Sequence, residues 1–142
     1  MTIFLIIEKS VDSLIWGRVE YQDNLLVDSA KNLETLERKF RRLLHDFHGI
    51  DPTKIKFEIA YDLSSVFQYK NFLNITAVAA RAGINASLMR QYAVGIKHPS
   101  KEIVTKIEHT IKDLGRDLIA TKIAAKSGLK NSEKKKSKRE PA

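Results

Sequence analysis

The sequence predicts an α+β fold: a small β-β-β-α-β sheet domain, followed by an all-α helix-turn-helix domain. Three observations point there. Segments of strand character are confined to the first 61 residues, apart from one helical stretch. From Ser64 onward apolar residues recur only at helical spacing. Finally, Leu73 to Ser100, LNITAVAARAGINASLMRQYAVGIKHPS, holds two short helical patterns split by a turn at Gly83, with a second turn from Gly95 to Pro99.

Each element has a local reason. Ile3 to Glu8 is a run of β-branched and aromatic residues, the pattern of a central strand. Lys9-Ser10-Val11-Asp12-Ser13 is a turn, after which Leu14 to Tyr21 alternates Ile15, Val19 and Tyr21 with Trp16, Arg18 and Glu20. Gln22-Asp23-Asn24 turns into a short third strand, Leu25 to Asp28, completing an antiparallel meander. Asn32 is suited to cap a helix on which Leu33, Leu36, Phe40, Leu43, Leu44 and Phe47 share a face. Gly49 and Pro52 end it, and Lys56 to Tyr61 alternates as a fourth strand.

In the second half, Val66, Phe67 and Phe72 mark a first helix, and Val78, Ala79 and Ala82 a second. Ile84, Met89 and Tyr92 support a third. Ile103, Ile107, Ile111, Leu114 and Leu118 form a stripe on a fourth that is expected to run to about Ala125. Gly115 interrupts this stripe at a cost of about 1 kcal/mol relative to Ala, which suggests a bend or a close helix approach. Three segments result: a sheet domain at 1–63, a helix-turn-helix domain at 64–125, and a basic tail at 126–142 with too little apolar surface to order itself.

The 142 residues include no cysteine, which removes disulfide and thiolate chemistry and fits a reducing cytoplasm. Residues 3–7 are apolar, but the run is too short for a secretory signal and lacks a basic leader. No stretch approaches the roughly 20 apolar residues of a membrane span. The net charge of +8 is unevenly placed. Residues 1–63 hold nine basic and eleven acidic groups, whereas residues 64–142 hold sixteen and six. The tail from 126 carries seven basic against two acidic, so the helical body keeps half of the basic excess. A basic half of this kind faces a polyanion.

The turn-bounded helices fit a helix-turn-helix, in which the second helix enters the DNA major groove. Ala79 is small where the two helices would cross, Gly83 suits a positive φ, and Ile84 and Met89 fill the gap between helices. Over residues 64–118 the pattern resembles the Xre/Cro and phage-repressor family of DNA-binding domains. That resemblance implies base-edge contacts by Ala86, Ser87, Arg90 and Gln91. Arg90 would grip guanine and Gln91 adenine, each through paired hydrogen bonds. It implies phosphate contacts by Asn85, Lys97 and Lys101, which position the protein without reading sequence. Two family features are absent: Ile75 stands where Gln often opens the second helix, and Ala93-Val94 replaces a Glu-Asn pair. Losing those phosphate contacts favours a homodimer or higher oligomer.

The first half resembles the partial RNase H-like domain of HicB-type antitoxins, in which a DNA-binding domain follows. INASLMRQYAVGIKHPS and the KIEHTIKDLGRDL helix look like that family's helix-turn-helix version. The resemblance implies an antitoxin that holds a small basic ribonuclease toxin and represses its own operon through operator DNA. Glu8, Trp16, Glu20 and Asp28 are candidate partner contacts. The alternative is a ligand-sensing or dimerising transcription regulator without a toxin partner. An RNase H-like nuclease would need several converging carboxylates to hold two Mg²⁺ ions, and Glu8, Glu20, Asp28 and Asp62 are scattered over strand ends. His45 and His48 could share a helix face but lack a third ligand at useful spacing. No catalytic residue, metal site or cofactor is expected. The Lys134–Arg139 run could track phosphates in a salt-sensitive way.

Overall fold

The first three strands, β1 (Thr2–Glu8), β2 (Ile15–Tyr21) and β3 (Asn24–Ala30), pair antiparallel in sequence order. The chain then crosses the sheet through helix α1 (Leu33–His48) and a 3₁₀ turn (Pro52–Lys54), and β4 (Lys56–Tyr61) adds parallel to β1. The sheet order is therefore β3-β2-β1-β4. Four further helices follow: α2 (Leu63–Tyr69), α3 (Ile75–Ala82), α4 (Ala86–Val94) and α5 (Lys101–Ala120). This computed structural model describes residues 1–131, and its class is α+β.

Helix α1 starts where Asn32 places its side-chain oxygen on the Thr35 N–H at 2.8 Å, satisfying a donor that has no intrahelical partner. Its apolar face, Leu36, Phe40 and Leu44, is fully buried against Ile3, Leu5 and Ile7 of β1 and Val19 of β2. Each such side chain contributes about 1.5–3 kcal/mol on leaving water. The close approach depends on Gly17. A Cβ there would lie 2.9 Å from Leu5 Cδ1 and 3.1 Å from Leu36 Cδ2.

Met1–Thr110 is one compact unit, and a second begins at Ile111. The first unit runs through residue 63, where composition changes, because α2 is bonded directly to the sheet. The buried Ser65 hydroxyl donates to the Ile7 carbonyl at 2.8 Å. The Gln68 amide clamps Ser10 from both sides, accepting from its N–H and donating to its C=O, each at 2.8 Å.

Several element ends differ from the sequence expectation. β3 is seven residues long, because Asn24 and Ala30 also pair with β2. α2 stops at Tyr69, and Phe72 lies beyond it at 74% exposure. α5 ends at Ala120 instead of about Ala125; the Thr121 hydroxyl bonds back to the Asp117 carbonyl, and no described residue after Thr110 is buried to hold a further turn. Gly115 lies inside an unbroken helix, and among the described residues nothing lies within 4 Å of a Cβ there, so no close approach occurs. Of the expected tail, residues 126–131 are exposed and carry neither helix nor strand. The Lys134–Arg139 run lies outside the described residues.

Candidate nucleic-acid interface

Helix α3 opens with the Asn74 side chain accepting from the Ala77 N–H at 2.9 Å. It buries Val78, Ala79 and Ala82. Gly83 ends it at φ +70°, where an L side chain would be strained. The Gly83 N–H then reaches the Ala80 carbonyl and the Ile84 N–H the Ala79 carbonyl, a paired closure that satisfies two terminal acceptors. Ile84 is buried in the turn, so it plugs the angle between helices without belonging to either.

Asn85 opens α4, its side-chain oxygen accepting from the Ser87 and Leu88 N–H groups at 2.8 and 3.1 Å. Met89, Tyr92 and Ala93 face inward. Ser87 and Arg90, one turn apart, are exposed on the same side. Gly95 repeats the left-handed closure at φ +84°, and the Ser100 hydroxyl accepts from the Ile103 N–H to start α5.

The seven expected contact residues are therefore placed as follows. Asn85, Ala86, Ser87, Arg90 and Gln91 lie on and before the first turns of α4, with Ala86 and Gln91 half-buried. Lys97 is exposed in the turn leaving α4, and Lys101 is exposed on the first turn of α5. Nine residues of helix separate the Asn85 end from the Lys97 end, about 13 Å at 1.5 Å per residue.

Two placements constrain the chemistry. The Asn85 oxygen is occupied by the helix start, so only its NH₂ could donate to a phosphate. The Gln91 Oε1 is buried with no hydrogen-bond partner among the described residues. In this rotamer it cannot accept from an adenine N6, so base reading by Gln91 requires its side chain to turn outward. Of the two departures from the repressor pattern, Ile75 opens α3 half-buried and Ala93 is buried, whereas Val94 is half exposed.

No family model, curated protein or solved structure matches the chain. Its own residues carry the functional argument.

Leu63 to Lys101 contains five basic residues and no acidic one. Averaging charge over each half of the chain conceals this run, and a count along the chain would have found it. No helix among the described residues is long and apolar enough to cross a membrane.

Of the sheet carboxylates, Asp62 and Glu8 meet on one guanidinium. Asp62 takes the Arg18 guanidinium through two bonds, 2.6 and 2.9 Å, and Glu8 approaches it at 3.4 Å. The Asp62 hydrogen bonds, with the fields of Asp62, Glu8 and Glu20, raise the Arg18 pKa above its ordinary value. Glu8 and Glu20 lie on one face of the sheet, and Asp28 lies on the other, 3.7 Å from Lys39. His45 and His48 are also separated, since His45 meets Asp46 while His48 packs edge-on to Tyr21 and meets Asn24. Among the described residues no three His, Asp or Glu side chains could hold a metal ion.

Proposed function

We propose that this protein is an antitoxin-like transcriptional regulator. It binds operator DNA through α3 and α4 and a small basic protein through its sheet portion, residues 1–63. The observation that carries the DNA reading is the exposed Ser87–Arg90 face of α4, opened by Asn85 and set in a 39-residue stretch without a carboxylate. A major-groove helix needs such a face: short side chains that let it approach, one long cation for base edges, and flanking lysines for the phosphates.

The architecture in this proposal is a partial RNase H-like sheet portion followed by a helix-turn-helix portion, the arrangement of HicB-type antitoxins. The mild negative balance of residues 1–63 suits a basic partner. A homodimer fits this use, because two-fold operators present two half-sites and one module here has few phosphate contacts.

The test is anisotropy binding of the full chain to labelled DNA from its own promoter. Arg90→Ala is expected to weaken binding by about 1–3 kcal/mol and to relax preference at one base pair. Lys97→Ala is expected to weaken all sequences alike and to lower the salt slope by about 1. Unchanged binding by the Arg90 variant would remove the assignment of α4 as the reading helix.

A further inference from the structure

β1 reads apolar at five consecutive positions, Ile3 to Ile7, which is the pattern of a strand covered on both faces. Among the described residues only one face is covered by a helix. Ile3, Leu5 and Ile7 pack beneath α1, while Phe4 and Ile6 point to the opposite side of the sheet. On that side the register sets Ile6 beside Arg18 and Arg18 beside Val27, with Trp16 and Leu25 at neighbouring positions. Phe4, Leu25 and Val27 are 56, 59 and 48% exposed. An outward sheet face is normally polar, and an apolar patch there marks a contact surface.

The charges on this face select the occupant. Glu8, Glu20 and Glu58 lie on it with Asp62 at its end, against Arg18 and Lys56. Arg18 is already engaged by Asp62 and Glu8. Glu20 and Glu58 make no ion pair among the described residues. A second copy joined through the same face would set this acidic surface against itself, since a two-fold interface pairs a patch with its own image. The chain's own terminal residues, NSEKKKSKREPA, offer cations but no large apolar side chain to cover Phe4.

We infer that the outer face of the sheet is the docking surface for a basic protein that seats apolar side chains over Phe4, Ile6, Trp16 and Val27 and brings cations to Glu20 and Glu58. This rests on the reading that the sheet portion holds a protein partner, and it specifies the surface and its chemistry.

The experiment uses the full chain and the product of the adjacent open reading frame, which this reading requires to be a small basic protein, with affinity measured by calorimetry. Phe4→Ala and Val27→Ala, both at exposed positions, should each weaken the complex tenfold or more. Glu20→Lys should weaken it several-fold, and raised salt should do the same. Because the chain has no cysteine, a Val27→Cys variant supplies a single labelling site whose reaction with maleimide should slow at least tenfold in the complex. A complex that forms while Val27→Cys labels at an undiminished rate and Phe4→Ala binds within twofold would overturn this face and leave the partner reading standing. Failure of the wild-type chain to form any complex would overturn both. Protection of Val27→Cys that grows with the chain's own concentration, without partner, would assign the face to a second copy and overturn the proposal.

Discussion

Gln68→Ala tests what fixes the helices to the sheet. Ser10 is 6% exposed, and both its backbone N–H and its C=O are bonded by the Gln68 amide. Truncation leaves two nearly buried backbone groups without partners, at about 1–3 kcal/mol each. Two effects oppose this. Alanine is the better helix former by a few tenths of a kcal/mol, and its shorter side chain avoids the about 1.5–2 kcal/mol of side-chain entropy lost when the glutamine is held. The balance is a loss of about 2 kcal/mol, or roughly 10 °C in Tm for a unit of this size. Gln68→Glu, which keeps an acceptor for the Ser10 N–H but loses the donor, should fall between. Lys9→Ala is the control. Its ammonium meets the Val94 carbonyl at 3.4 Å in an exposed setting, so its loss should cost less than about 0.5 kcal/mol. Urea unfolding followed by Trp16 emission reads all three, because the indole N–H is bonded to Asp12 in the same turn. A Gln68→Ala stability within about 0.5 kcal/mol of wild type would show that the amide does not hold this turn.

Three further outcomes follow from the packing and the charges. Gly17→Ala should destabilise by about 1–3 kcal/mol, because its Cβ meets side chains of Leu5 and Leu36 that are fully buried and have no room to swing away; an unchanged urea midpoint would contradict this. Gly83→Ala should cost about 1–2 kcal/mol through its left-handed backbone, while Gly115→Ala should add up to about 1 kcal/mol of helix stability, read by thermal melts followed by circular dichroism. Asp12 is held below its ordinary pKa, chiefly by the Leu14 N–H and also by Ser10 and Trp16. Its contribution is therefore present above about pH 4, the unfolded value, and is lost as pH falls through the lower folded value. Trp16 emission should titrate with a midpoint below pH 4, and that transition should vanish in Asp12→Asn.

The local parts of the fold were legible because their causes are local. Asn32 and Asn85 each precede a helical pattern by one residue, and both accept the first amides of their helices. The strand pattern of residues 3–8 was legible for the same reason, since a short run of β-branched and aromatic residues acts within a few positions. What escaped depends on distant partners. Gln68 and Ser10 are 58 residues apart, and nothing in a polar helix residue and a turn serine announces a paired bond. The end of α5 was overestimated because its apolar stripe continues past Thr110, where burial stops. In the candidate site, exposure of Arg90 could be read from the helical period, but the buried Gln91 oxygen could not, because a side-chain rotamer is decided by packing.

The position of α4 relative to the sheet is set chiefly by α2. Helix α4 packs on α2 as well as on α3. α2 in turn is bonded to the last residue of the β1 core face through Ser65 and Ile7, and to the following turn through Gln68 and Ser10. A direct hydrogen bond from the turn after β1 to α4, from Lys9 to the Val94 carbonyl at 3.4 Å, is exposed and too weak to hold a helix in place. The outer face of the sheet meets this support at one end, because Glu8 and Asp62, both on Arg18, flank the Ile7 and Asp62 carbonyls that accept from Ser65. A ligand that pulls Arg18 away from Asp62 therefore acts on the residue that starts α2. Ser65→Ala separates support from recognition. Both carbonyls keep backbone donors, Asp62 N–H on Ile7 and Ser65 and Val66 N–H on Asp62, so the loss should be near 1 kcal/mol and the fold should survive. Arg90 and the sheet face keep their own side chains in that variant. Any change in DNA affinity must then come from how firmly α2 holds α4.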